Sequence, residues 1–143
     1  MAVLASIQKR KEARTRTTAF PAFLLSGQNE YPLVSVIVPA YNEEVNAVRT
    51  VNSLLAQDYP ALEIIFVDDG SKDDTYLKVS DYFRDKNNAH AYTKINGGKA
   101  SALNFGIQKS NADFIVCIDA DTQLKTDAIT ELMKKFVDEN RSE

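Results

Sequence analysis

The run Phe114-Ile115-Val116-Cys117-Ile118-Asp119-Ala120-Asp121 passes from five consecutive apolar residues directly into two acids. Five apolar residues bounded by polar ones suit a strand covered on both faces, the signature of a parallel sheet with helices above and below. In open α/β sheets, ligands bind outside the C-terminal ends of the strands, and Asp119 and Asp121 stand at such an end. Two carboxylates this close repel each other unless a cation sits between them. Hard oxygen ligands suit Mg²⁺ or Mn²⁺, completed by water and a substrate phosphate. The pair therefore points to a divalent metal holding a diphosphate. Taken alone, a solvated Asp-x-Asp turn accounts for it equally well.

Upstream of this run, strand and helix alternate. Residues 33–38 (Leu-Val-Ser-Val-Ile-Val) are β-rich and end at Pro39. Residues 43–56 place Val45, Val48, Val51, Leu54 and Leu55 at helical spacing. Residues 62–67 form a second apolar run that ends in Asp68-Asp69-Gly70-Ser71. Asp73 and Asp74 then stand where a helix start favours negative charge. That helix is expected to reach about Arg84, with Leu77, Val79, Tyr82 and Phe83 as its apolar positions. A short strand is expected over 90–95, and a helix over 100–108 that buries Leu103 and Ile107. Downstream of the acids, residues 126–139 form a final amphipathic helix through Ile129, Leu132, Met133, Phe136 and Val137. This alternation implies an α/β fold of right-handed βαβ units, with a mainly parallel sheet flanked by helices.

Composition narrows the class. The chain has 143 residues, 44% of them hydrophobic, with a net charge of -3. That length suits one domain, and the charge is too mild to point to a nucleic-acid partner. A single cysteine, Cys117, excludes a disulfide framework and reads as a small core residue. The single His90 has no ligand-like companions in its stretch. No apolar run approaches the roughly 20 residues that span a bilayer. Residues 1–31 differ from the rest, with Lys9, Arg10, Lys11, Arg14 and Arg16 clustered there. They are expected to form a flexible basic lead-in with some helical tendency at its start, ahead of a domain over residues 32–143. Such a basic segment would lie on anionic lipid if a membrane anchor existed elsewhere.

Each of the three main strands ends in a polar cluster: Pro39-Ala40-Tyr41-Asn42-Glu43, then Asp68-Asp69-Gly70-Ser71, then Asp119-Ala120-Asp121-Thr122. In a parallel sheet these ends share one edge, so acids far apart in sequence converge in one crevice. Helix capping explains part of Asn42, Asp69 and Ser71, but not doubled acids at two strand ends. A fourth segment, Asn96-Gly97-Gly98-Lys99-Ala100-Ser101, brings two glycines to a helix start, where backbone can approach an anion and Lys99 can reach a phosphate. A plain turn and helix entry would look the same. It is not a P-loop, because Thr93 and Ala100 hold positions that need Gly and Ser or Thr. Nor is it a dinucleotide fingerprint, since Pro39-Ala40 follows the first strand.

Taken together, Val36-Ile37-Val38-Pro39-Ala40-Tyr41-Asn42-Glu43-Glu44, Val67-Asp68-Asp69-Gly70-Ser71, Asn96-Gly97-Gly98-Lys99-Ala100-Ser101-Ala102-Leu103-Asn104 and Asp119-Ala120-Asp121-Thr122 resemble the inverting family 2 glycosyltransferases in order, spacing and residue type. The likeness covers residues 33 to about 137. Its wording is most similar to the processive bacterial synthases of the poly-N-acetylglucosamine, hyaluronan and chitin type. The resemblance implies a GT-A (Rossmann-like) fold, a UDP-sugar donor such as UDP-N-acetylglucosamine, and Mg²⁺ or Mn²⁺. It also implies a polysaccharide or other glycan acceptor for a full-length enzyme at the cytoplasmic face of the cell membrane. By the same resemblance, Pro39, Ala40, Tyr41 and Glu43 line the uracil and ribose pocket. Asp69, with Asp68 beside it, hydrogen-bonds the uracil edge. Gly98 and Lys99 lie near the diphosphate or base, Asp121 ligates the metal, and Asp119 contacts the ribose or the metal.

An inverting transfer needs a base for the acceptor hydroxyl. The family's base lies in a later acceptor-side motif, so it is expected beyond residue 143. The chain is thus expected to be the soluble donor-binding part of a longer enzyme, with any membrane contact made through segments outside it. Alone it is expected to hold donor weakly at best and not to transfer sugar efficiently. Two other classes use acids at strand ends: phosphoryl-transfer enzymes with Asp119 as nucleophile, and receiver-type modules with a phospho-accepting acid such as Asp69. The first wants Thr or Val where Gln123 stands. The second wants its acid pair after the first strand.

Overall fold

The computed structural model describes residues 7–9 and 31–141. In chain order its elements are β1 (Ile7–Lys9), β2 (Val34–Ala40), α1 (Ala47–Leu55), β3 (Leu62–Asp68), α2 (Thr75–Tyr82), β4 (Ala89–Thr93), α3 (Lys99–Lys109), β5 (Phe114–Cys117) and α4 (Ala128–Arg141). They build one sheet in the order β1-β5-β2-β3-β4. β5, β2, β3 and β4 run parallel, and only β1 is antiparallel, against β5. The expected mainly parallel α/β sheet is present.

Strand periodicity divides the core in two. Val34, Val36, Val38, Ile64, Phe66 and Val116 point to one face, where Ala47, Val51 and Leu54 of α1, Val79 of α2, and Ile129 and Met133 of α4 cover them. Ile37, Ile65, Val67 and Ile115 point to the other face and meet Ala102 of α3. Burial on both faces is why these strands read as unbroken apolar runs. Each buried Val, Ile or Leu contributes roughly 1.5–3 kcal/mol relative to leaving it exposed. Gly106 lets α3 lie close to the sheet, since a Cβ there would stand 2.5 Å from Ile37 Cγ2.

Several details differ from the sequence expectations. β2 continues through Pro39 to Ala40, although proline cannot donate to a ladder. Ile37 uses its carbonyl toward β5, where it accepts from Ile118 N at 3.0 Å, while Ala40 accepts from Asp69 N on the β3 side at 2.8 Å. Pro39 shares the parity of Ile37, so its missing N–H faces the side where β5 has stopped pairing, and no ladder bond is lost. α1 begins at Ala47, and Val45, in the turn before it, is 83% exposed. The inward stripe is instead Ala47, Thr50, Val51 and Leu54, an i, i+3, i+4, i+7 set. Leu77 is 64% exposed because Thr75 and Val79 set the buried face of α2 and a residue midway between them points away. On α3 the fully buried positions are Ala102 and Gly106, with Leu103 and Ile107 only half-buried at their flanks.

The strand β1 falls within the expected lead-in, where no strand was expected. The rest of that segment, residues 1–6 and 10–30, lies outside the described residues, as does the side chain of Val137. Among the described residues, no helix is long and apolar enough to cross a membrane.

Candidate functional site

Register brings the strand ends together. Ala40 of β2 pairs with Asp68 of β3, and Ile37 of β2 with Cys117 of β5. The segments that follow, 41–46, 69–74 and 118–127, therefore leave the sheet on one edge. Between them lies an open cleft of about 300 Å³. Pro39, Ala40, Tyr41 and Glu43 form one wall, Asp119 and Asp121 another, and Asp69 and Lys99 close the remainder, with Ala102 and Ala120 as small apolar fillers. Eight of the ten expected site residues line it. Asp68 and Gly98 do not.

Asp68 is consumed by the fold. It is 2% exposed, its Oδ2 accepts from Thr93 Oγ1 at 2.8 Å, and both oxygens lie 3.3 Å from Ser71 N. It thus closes the turn after β3 and ties it to β4. The next residue turns to the other side. Asp69 is 3% exposed and holds the glycine loop: Gly97 N donates to Oδ1 at 3.0 Å and Gly98 N to Oδ2 at 2.8 Å. Lys94 Nζ donates to Oδ1 at 2.9 Å, and Asn96 Nδ2 donates to the Asp69 carbonyl at 2.9 Å. Burial pushes the Asp69 carboxyl up, but the bonds from Lys94, Gly97 and Gly98 outweigh it and hold the group below the usual carboxylate range. Oδ2 carries a single one of these bonds and keeps acceptor capacity beside the cleft. Gly98 contributes through its backbone: its φ of 96° turns its N–H onto Asp69 and starts α3, a conformation costly for other residues.

The loops after β2 and β3 are sewn to each other. Asn42, at φ 54°, accepts from Lys72 N at 2.9 Å through Oδ1 and donates its own N–H to Ser71 Oγ at 2.8 Å. Glu43 N donates to Thr75 Oγ1 at 2.9 Å, and Asp73 Oδ1 accepts from Thr75 N at 3.0 Å. The wall bearing Tyr41 and Glu43 is thereby fixed before any ligand arrives.

On the opposite wall, Lys99 Nζ donates to Asp119 Oδ1 at 2.6 Å. Asp121 is exposed and makes no hydrogen bond or ion pair with a described residue. Thr122 N returns to the Asp119 carbonyl at 3.1 Å, so the two acids occupy the first and third positions of one β-turn. Among the described residues, no group of three His, Cys, Asp or Glu side chains is placed to hold a metal ion. Burial pushes the neighbouring Cys117 thiol up, against the opposing pull of Lys99, as suits a core cysteine and not a nucleophile. Asp69, which a receiver-type module would phosphorylate, has both oxygens engaged inside the fold.

Two contributors were not singled out from the sequence. Lys94 stands two residues before the glycine loop, and nothing in the spacing marks it as the partner of an acid 25 positions away. Thr50 lies on the buried stripe of α1 and donates to the Ala120 carbonyl at 2.6 Å. Its helical phase marks it as buried but not what it touches.

Similarity to known proteins follows the same elements. The chain is 34% identical over 103 residues to a poly-β-1,6-N-acetyl-D-glucosamine synthase of Staphylococcus epidermidis, covering 72% of this chain and 25% of that protein. It thus spans about a quarter of the length of the curated relatives it matches. Among solved structures, S. aureus TarS in complex with UDP-GlcNAc superposes with a TM-score of 0.65 at 32% identity, covering 75% of this chain and 31% of that one. The mannosyltransferase PcManGT of Pyrobaculum calidifontis, in complex with GDP-Man and Mn²⁺, superposes with a TM-score of 0.66 at 29% identity, covering 76% and 32%. The sheet is therefore the GT-A, Rossmann-like one. Residues 35–142, from β2 through α4, match the sequence profile described as Glycosyl transferase family 2, and the chain belongs to that family.

Proposed function

We propose that this chain is the donor-binding part of an inverting glycosyltransferase. It takes a UDP-sugar, UDP-N-acetylglucosamine or a close relative, together with Mg²⁺ or Mn²⁺, for addition to a growing β-linked polysaccharide. The observation that carries the proposal is the exposed Asp121, without a bonded partner among the described residues, beside Asp119 in a cleft that Lys99 also lines. The S. aureus TarS complex with UDP-GlcNAc and the synthase likeness support the donor class, and the Mn²⁺ complex of the mannosyltransferase supports the metal.

The donor set fits such a metal. Two carboxylates without a third protein ligand suit an ion that keeps waters and takes phosphate oxygens from its substrate. Asp121 and Asp119 would hold it, and when bound it would neutralise charge on the departing diphosphate. Lys99 is 61% exposed on its side chain, so it can exchange Asp119 for a phosphate oxygen at little cost. Asp69, held ionised, would accept an N–H from the base through Oδ2. Pro39, Ala40 and Tyr41 would flank the base and ribose, with Asp68 and Gly98 acting from behind the lining. A base for the acceptor hydroxyl is expected outside residues 1–143, so these residues alone should bind donor weakly and not transfer sugar efficiently. In the full-length enzyme the setting would be the cytoplasmic face of the membrane, reached through other segments.

The test is an amide NMR titration of the 143-residue chain with UDP raised to millimolar levels, with Mg²⁺ and then with Mn²⁺. Shifts at Asp69, Gly98 and Asp121, with Mn²⁺ broadening centred on Asp119 and Asp121, are expected. A well-dispersed spectrum that stays unchanged under every condition would overturn the proposal.

A further inference from the structure

Thr50 is fully buried on α1, yet its hydroxyl reaches a loop 70 residues away and donates to the Ala120 carbonyl at 2.6 Å. That carbonyl belongs to a particular peptide. Asp119 to Thr122 form a β-turn closed by Thr122 N on the Asp119 carbonyl. The peptide joining Ala120 to Asp121 lies between the two central positions, and it is the unit that rotates when a turn passes between types I and II. Type II needs a positive φ at the third position. Among the described residues, Asn42 is the only non-glycine with positive φ, so Asp121 sits on the type I side. Rotating the peptide would reset φ of Asp121, and with it the direction of the Asp121 side chain relative to Asp119, and the Thr50 hydroxyl opposes this rotation.

Ser53 of α1 and Gln57, just past its C-terminal end, secure the same loop at later points. Ser53 Oγ accepts from Leu124 N at 3.2 Å, and Gln57 donates to the Lys125 carbonyl at 2.7 Å while accepting from Ile129 N at 3.0 Å. Thr50 and Ser53, at i and i+3, are neighbours on the surface of α1. Thr50 alone acts between the two acids.

We propose that Thr50 is a positioning residue for the Asp119–Asp121 pair: by locking the Ala120–Asp121 peptide it holds both carboxylates in the arrangement that receives the divalent cation. This role rests on the metal-dependent donor binding proposed above. Because Thr50 is fully buried and does not line the cleft, its loss should act on the metal and spare contacts to the base.

The experiment compares the wild-type 143-residue chain with Thr50→Val, Thr50→Ser and Ser53→Ala. Mn²⁺ affinity is read by electron paramagnetic resonance with and without UDP, and metal-free UDP affinity by NMR. In wild type, UDP should tighten Mn²⁺ binding. Thr50→Val keeps shape but removes the donor, and should weaken Mn²⁺ by roughly 10- to 100-fold, the range for partners that orient metal ligands. Metal-free UDP binding should change less than about twofold if the base contacts are spared. Thr50→Ser should restore Mn²⁺ affinity, and Ser53→Ala should leave it near wild type. Equal Mn²⁺ affinity in wild type and a folded Thr50→Val chain would overturn the role of Thr50 while leaving the donor site standing. Parallel loss of Mn²⁺ and metal-free UDP binding would overturn it in favour of a general packing role. No Mn²⁺ binding by wild type, with or without UDP, would overturn the metal site itself and this role with it. If Thr50→Val does not fold, Thr50→Ser against Thr50→Ala decides the same question.

Discussion

The Lys94 ammonium lies 2.9 Å from Oδ1 of Asp69, with the two side chains only 15% and 5% exposed. This pair joins the end of β3 to the loop that leads into α3, and it is what allows a carboxylate to stay charged under the glycine turn. Lys94→Met would leave Asp69 with two backbone donors and no counter-charge. Removing one partner of a buried pair costs about 3–5 kcal/mol, and the partial wetting of Lys94 brings the expectation to about 2–3 kcal/mol. Urea unfolding at neutral pH measures this, and a loss below about 0.5 kcal/mol would show that the pair is incidental.

Acid should expose the same carboxylate. Burial raises Asp69 and Asp73, but hydrogen bonds overcome it in both, from Lys94, Gly97 and Gly98 to Asp69 and from Thr75 and Glu44 to Asp73. Their folded values therefore lie below the unfolded ones. As pH falls, the unfolded chain takes up protons first, so the stability these groups add is complete above about pH 4 and is lost through their folded values. The urea midpoint should hold between neutrality and pH 5, then drop. An Asp69→Asn, Asp73→Asn chain should start lower and fall less steeply, and an unchanged acid slope would contradict the assignment.

Tyr59 behaves in the opposite sense. Burial, with Tyr31 beside it, pushes its hydroxyl well above the usual tyrosine range, and its Oη donates to the Pro32 carbonyl at 2.6 Å. A raised folded value stabilises below the unfolded one, about pH 10, and that stability is lost as pH rises through the folded value. Tyr59→Phe should cost about 1 kcal/mol at neutral pH and flatten the alkaline limb. Parallel urea series for the two chains would test both.

Gly106→Ala tests how tightly α3 sits on the sheet. In an open helix, alanine would stabilise by about 1 kcal/mol. Here its Cβ would lie 2.5 Å from Ile37 Cγ2 and 3.2 Å from Val67 Cγ2, both on central strands. Overpacking should win and destabilise by about 1–3 kcal/mol. A gain in thermal midpoint would mean that α3 lifts off the sheet at little cost.

The strands and the shared edge were legible because burial on both faces leaves apolar runs that end where the acids begin. Helix phase was less so: Val45 and Leu77 fit a helical period, but a period does not say where the first turn starts or which of two overlapping stripes faces inward. The doubled acids were legible as strand-end clusters on one edge, yet Asp68 and Asp69 look alike in sequence. Only the alternation of a strand end separates them, sending Asp68 into the turn and Asp69 toward the cleft. Lys94 and Thr50 were silent for a different reason. Each acts through a bond between elements far apart in the chain, and no local pattern records such a contact.

Asp121 and Lys99 give the sharpest test of the two cleft walls together. Asp121 is exposed without a bonded partner among the described residues, and the Lys99 side of the Lys99–Asp119 pair is largely exposed. Neither Asp121→Asn nor Lys99→Met should move stability by more than about 0.5 kcal/mol. Their effects on UDP should differ in kind. Asp121→Asn removes the proposed metal ligand, so affinity with Mn²⁺ should fall to the metal-free level and metal-free affinity should stay. Lys99→Met removes a cation, so metal-free affinity should fall while Asp119, released from its ion pair, keeps the Mn²⁺ enhancement. Calorimetry of both variants with and without Mn²⁺ separates the cases. If Asp121→Asn retained the full Mn²⁺ enhancement, the cation would have to be held elsewhere, and the pairing of Asp119 with Asp121 would be structural.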